Sequence, residues 1–266
     1  MTVRFFDGIP WPQAWYASVR PAAASIIAAA DWRAQLNAAA GALALRNHHD
    51  LPMQFVPQED LPEGMAYESF ISSAGRVPTR ENLHDFFNAL VWLTFPHIKR
   101  QLNALQAAQI AMLGIGKSRG PARDAATIFD ENAALLVVAE SQSAEQLVAD
   151  LRAHRWQAAF QERRALWGSQ AEVWSFGHAL MEKLVQPYKA ITAHTWVVSA
   201  PLEFFSWEWD ARRAWLDRAV SAQLAAQPLS NAAYTPLPVL GIPGWWPQQD
   251  AGFYADSTVF RAKRSK

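Results

Sequence analysis

Hydrophobic positions recur along most of the chain at helical spacing. Pro21 is placed to open a helix ahead of the Ala-rich run Ala22–Ala30, and Asp31 to cap a second over Trp32–Leu45. Pro52, Pro57 and Pro62 predict irregular chain, with one short strand at Met53–Val56. Pro78-Thr79 opens a helix from Arg80 to Phe95, Pro96 ends it, and His97–Leu113 continues as another. Gly114–Gly120 reads as a turn, Pro121 starts a short helix to Ile128, and Asp130-Glu131-Asn132 is turn chemistry. The run Ala133–Ala139 is apolar throughout, as in a strand buried on both faces. Helices are expected over Ser143–His154, Gln157–Trp167, Ala171–Gln186 and Asp210–Gln227, with a second buried strand at His194–Ser199.

These elements predict an α+β fold, predominantly helical, with a small sheet of short buried strands. No repeat or linker divides the chain, so residues 1–266 read as a single domain. Residues 228–266, rich in Pro, Gly and Trp, read as a loosely structured segment packed over it.

Composition narrows the function classes. With 24 basic and 24 acidic residues the formal charge is zero, which removes the long-range field of a general nucleic-acid or membrane-surface binder. Zero cysteine excludes disulfides, thiolate metal sites and a cysteine nucleophile. The N-terminus lacks the apolar core of a signal peptide, and no apolar run is long enough to span a bilayer, so a cytoplasmic location is expected.

The helix predicted over Arg80–Phe95 carries the most informative polar group. Glu81, His84, Asp85 and Asn88 fall on one stripe, while the other faces are apolar. A helix apolar nearly all round is buried, and its polar groups must then be bonded or used. Either His84, Asp85 and Asn88 line a pocket, or the first turn emerges into solvent.

A second polar concentration lies between Arg119 and Asn132, where Arg123 and Asp124 either border a pocket or pin a helix–strand corner. On Ala171–Gln186, His178 and Glu182 stand at i and i+4 and can share a partner, or a divalent metal. The order His48/His49, His84-Asp85, then Asp124 or Asp130 is loosely similar to the metal-binding order of helical HD phosphohydrolases. Motifs for phosphate-binding loops, serine hydrolases, zinc proteases and dinucleotide binding are absent. Among the 13 tryptophans, Trp92, Trp174 and Trp196 read as core. Trp207, Trp209, Trp245 and Trp246 either pin the irregular segments or present rings to a partner.

The segments Val77-Pro-Thr-Arg80, His84-Asp85, Trp92-x-x-Phe-Pro96, Arg123-Asp124, Phe129-Asp-Glu-Asn132, Gly177-His178, Thr192-Ala-His194 and Pro236–Gly244 together resemble a proteobacterial family, domain of unknown function 3025. The resemblance implies a bacterial, single-domain protein and brings no activity, cofactor or catalytic residue with it.

The residues themselves support two readings. One is an enzyme with hydrolase-like acid–base chemistry on a small polar or anionic ligand. In it His84 is the acid/base, Asp85 or Asp124 and His178 assist, Arg80, Lys99 or Arg123 hold an anionic group, and Asn88 and Glu182 complete the wall. The other is a non-enzymatic interaction protein using the Trp-rich C-terminal segment.

Overall fold

A computed structural model describes residues 3–113 and 121–263. Helix α1 (Arg20–Ala28) carries Pro21 in its first turn, and α2 (Trp32–Ala42) is capped by Asp31, whose carboxylate accepts from the Ala34 N–H at 2.9 Å. Strand β1 (Gln54–Val56) pairs in parallel with β2 (Arg76–Pro78). Between them α3 (Tyr67–Ala74) ends on Gly75 at φ 67°. The Gly75 N–H there donates to the carbonyl of Ile71, the left-handed stop that glycine adopts without strain.

Helix α4 (Leu83–Thr94) is buried on almost every face, as its composition requires. It starts three residues later than the sequence predicts, because Asn82 caps it by accepting from the Asp85 N–H. Arg80 and Glu81 thus precede the helix rather than form its first turn. Pro96 separates it from α5 (Pro96–Leu113), whose opening N–H groups at His97 and Ile98 are satisfied by the Asp217 carboxylate from a helix far along the chain.

Helix α6 (Pro121–Asn132) runs to the first residue of β3 (Ala133–Ala139), so Asp130-Glu131-Asn132 form its last turn and not a free turn. Helix α7 (Gln142–Arg152) follows. The α-helix expected over Gln157–Trp167 is instead a π-turn and a 3₁₀ turn.

The largest correction concerns Ala171–Gln186. It divides into strand β4 (Ala171–Ser175), a turn at Phe176-Gly177, and helix α8 (His178–Lys183). Its first five residues find partners on β3, with Leu135 opposite Trp174 and Leu136 opposite Val173, and that pairing overrides the helical spacing. Strand β5 (Thr192–Ala200) pairs in parallel with β3 along seven residues. Helix α9 (Trp209–Ala226) supplies Asp217. Strand β6 (Thr235–Pro238) closes the sheet order β4-β3-β5-β6, and α10 (Ala251–Ala255) ends the regular structure.

The chain thus has the α+β fold that its pattern predicts, mostly helical, around buried strands. One cluster of buried side chains extends from Phe6 to Phe260, so both terminal segments share one core. The C-terminal segment is better ordered than expected, with a strand and a helix of its own. Trp92, Trp174 and Trp196 are buried as predicted, and Trp207, Trp209, Trp245 and Trp246 pack half-buried against the core instead of standing free. The predicted turn over 114–120 and the last residues of the basic tail lie outside the described residues. Among the described residues, no helix is long and apolar enough to cross a membrane.

Candidate functional site

Helices α3, α4, α5, α6 and α8 converge on a cavity of about 420 Å³. Its wall includes Arg80, His84, Asp85, Asn88, Arg123 and His178 from the sequence prediction. The polar stripe on α4 therefore faces a pocket.

Gly177 brings His178 there. A Cβ at Gly177 would lie 2.5 Å from the Glu131 carbonyl and 2.6 Å from the Asn132 and Ala133 nitrogens. Only a hydrogen fits, and the Gly177 N–H donates to the Ala133 carbonyl at 2.7 Å. This pinch sets the first turn of α8 against the last turn of α6, with His178 beside Asp130.

A chain of polar contacts crosses the wall. His84 Nδ1 meets Glu182 Oε2 at 3.0 Å, and His84 Nε2 meets His178 Nε2 at 3.0 Å. The i, i+4 pair His178 and Glu182 does share a partner, and it is His84. A carboxylate accepts only, so Nδ1 of His84 is the donor to Glu182, and the two Nε2 atoms share one proton between them. His178 is 4% exposed, and its Nδ1 is buried without a hydrogen-bond partner among the described residues, 4.0 Å from Asp130 Oδ2. Burial lowers the His178 pKa to about 4, against the pull of Asp130, so the ring is neutral at pH 7.

Asp130 is the residue that the prediction misplaced. Arg123, Thr127 and Asp130 stand at i, i+4 and i+7 on the cavity face of α6, while Asp124, one residue round, is exposed and outside the wall. The Asp130 Oδ1 accepts from Lys99 Nζ at 2.5 Å, while its Oδ2 borders the cavity and accepts no hydrogen bond among the described residues. Burial alone raises this carboxyl, but Lys99, then His178, outweigh it and hold the pKa below the usual range. Asp130 is an ionised carboxylate with one oxygen unspent.

Lys99 is not the free cation expected. It is 4% exposed, donates to both Asp130 and Asn88 Oδ1 (2.9 Å), and lies over the Trp92 ring at 5.2 Å. Arg80 and Asp85 also spend themselves on each other, through contacts of 2.9 and 3.0 Å from the guanidinium and 2.7 Å from the Arg80 N–H. Asp85 thus holds Arg80 at the rim, and no acidic role is left over for it. The Arg123 guanidinium forms no ion pair among the described residues.

Two further wall residues, Tyr67 and Glu68, went unseen in the sequence because they follow the proline-rich passage, where no periodicity marks them. Burial raises the Tyr67 pKa well above its ordinary value, and Glu68, Asp85 and Asp130 add to the shift. Burial also raises Glu68, with Lys99 opposing.

The metal-binding order His48/His49, His84-Asp85, then Asp124 or Asp130 does not assemble, because only His84, Asp85 and Asp130 reach the cavity wall. His48 bonds Ser72 and packs at a tilt against His49 away from the cavity wall, and among the described residues no group of three or more His, Asp or Glu side chains is arranged to hold a metal ion.

No curated protein and no solved structure matches the chain. One family model, described as "Protein of unknown function (DUF3025)", matches residues 53–264, which include every wall residue discussed above. That match spans most of the chain and agrees with the family its motifs resemble, so the chain belongs to family DUF3025.

Proposed function

We propose that the protein is an enzyme of the bacterial cytoplasm, performing general acid–base chemistry of a hydrolytic kind on a small polar or anionic substrate. The observation that carries this reading is the unspent Oδ2 of Asp130, held ionised by buried Lys99 and backed by the chain His178–His84–Glu182. An ionised carboxylate with an unspent oxygen at a cavity can accept a hydrogen bond, and in the reaction a proton, from what is bound there.

His178 supports this role from behind. With the shared proton on His178 Nε2, both rings are neutral and Nδ1 of His178 is bare. When Asp130 passes a proton to that nitrogen, the shared proton moves to His84 Nε2 and the His84 Nδ1 proton moves to Glu182, so each ring again holds one proton. The chain therefore offers a path by which a proton taken up at Asp130 leaves toward Glu182, whose side chain is 41% exposed. Arg123 supplies positive charge for an anionic group.

The reading is tested with a panel of activated esters, amides and phosphate esters incubated with purified protein. Turnover of one class is expected, lowered at least about 100-fold in Asp130→Asn and more moderately in His84→Gln, with unchanged circular dichroism. Equal turnover in wild type and Asp130→Asn would remove the carboxylate from the reaction.

A further inference from the structure

The direction of one hydrogen-bond chain is forced. The ammonium of Lys99 only donates, so the Asn88 atom 2.9 Å from it is the amide oxygen. The Asn88 nitrogen therefore faces Tyr67, and because an amide nitrogen only donates, the Tyr67 oxygen 2.9 Å away must accept. The phenol's own proton is left over. It meets no acceptor among the described residues, and Tyr67 lines the cavity with Asp130.

We infer that Tyr67 is a further catalytic residue, whose O–H seats an oxyanion or carbonyl oxygen of the ligand while Asp130 Oδ2 faces the proton to be removed. The inference rests on the acid–base reading of Asp130 and adds the donor that such a reaction needs. Lys99 governs both ends. It holds Asp130 as an acceptor directly and fixes Tyr67 as a donor through Asn88. When a water attacking the ligand gives its proton to Asp130, the charge that builds on the ligand's carbonyl or phosphoryl oxygen is met by the Tyr67 O–H without a second proton transfer. Burial keeps the phenol protonated throughout the neutral range.

Arg123 completes the ligand's outline. It lies seven residues before Asp130 on the same helix face, about 10 Å along the axis at 1.5 Å per residue. The ligand class is thus a compact molecule with an anionic group at one end and an acceptor oxygen near the other.

The test uses oxalate, malonate and inorganic phosphate as probes, with binding followed by calorimetry. At least one probe is expected to bind wild type, with carboxylate or phosphate preference identifying the anionic group. Tyr67→Phe should weaken that probe about tenfold or more, the loss of a hydrogen bond to a charged group. Asp130→Asn should tighten it, because a like charge leaves the cavity. Asn88→Asp provides a second variant with the ring intact. Its carboxylate can accept the phenol proton and withdraw the donor, so it should weaken binding as Tyr67→Phe does. Equal affinity in wild type and Tyr67→Phe overturns the donor role while leaving Asp130 to the turnover assay. Failure of all three probes on wild type overturns the oxyanion ligand, and the turnover panel then decides the acid–base reading separately.

Discussion

Asp130 and Asp150 are both buried carboxylates beside cations, and they are finished differently. Asp150 is 1% exposed and receives Gln146, Arg155 and Arg163, which occupy both oxygens. Burial raises its pKa and the two arginines more than compensate. Nothing is left to bind. At Asp130 one oxygen is taken by Lys99, the other is open to the cavity, and the nearest imidazole nitrogen stands 4.0 Å away without a partner. A carboxylate that serves the fold has its valences closed, whereas one that serves a ligand keeps some open, at a cost in stability of about 1–3 kcal/mol for each buried unpaired group.

Breaking the closed cluster should cost most. Asp150→Ala removes the buried acceptor of two arginines that water still reaches, Arg155 at 52% and Arg163 at 29% side-chain exposure, an expected loss of about 2–4 kcal/mol. In thermal melts that is a fall of roughly 5–15 °C, with probe binding intact in the protein that remains folded. A fall of only a degree or two would show that the cluster contributes little.

The open cluster should instead reveal itself through pH. His178 takes up a proton near pH 4 when folded and near 6.5 when unfolded. Between those values the unfolded chain binds more protons, so this residue's contribution to stability falls as pH drops from 6.5 toward 4, by about 3 kcal/mol in all. Subtracting the stability profile of His178→Leu from that of wild type isolates this term. A difference that stays flat from pH 7 to 4 contradicts the burial of a neutral ring.

Gly177→Ala tests how the open cluster is positioned. The added methyl meets backbone at 2.5–2.6 Å, and separating α8 from α6 should cost about 1–3 kcal/mol. The same shift moves His178 from His84, so turnover should fall more than stability alone explains. Asp124→Asn is the smallest change and sharpens the contrast with Asp130. On an exposed helix face it should alter stability by less than about 0.5 kcal/mol and turnover not at all.

Much of this fold was legible because its signals are local. The buried strand Ala133–Ala139 and the all-round apolar helix after Asn82 announce themselves in a few residues. Strand β4 did not, because Ala171–Ser175 becomes a strand only by pairing with β3, a partner more than thirty residues upstream. That error hid Gly177 inside an expected helix and with it the reason His178 meets Asp130. The choice of Asp124 over Asp130 has the same origin, since ending α6 at Ile128 put Asp130 in a turn and off the face of Arg123. His84, Asn88 and His178 were identified because a polar residue amid apolar neighbours is visible in any register. Tyr67 was not, since an aromatic residue at the start of a helix carries no mark of the hydrogen bond it will accept.

The two rims of the main sheet carry a consequence for association. Of the four residues in β6, Pro236 and Pro238 have no N–H to offer, and Arg152 reaches across to the Thr235 hydroxyl at 3.1 Å. On the opposite rim the Ser18 hydroxyl already occupies the Ser175 carbonyl at 2.8 Å. Neither border presents an unbroken row of donors and acceptors on which another polypeptide can template itself, so the sheet resists edge-to-edge growth into aggregates during and after folding.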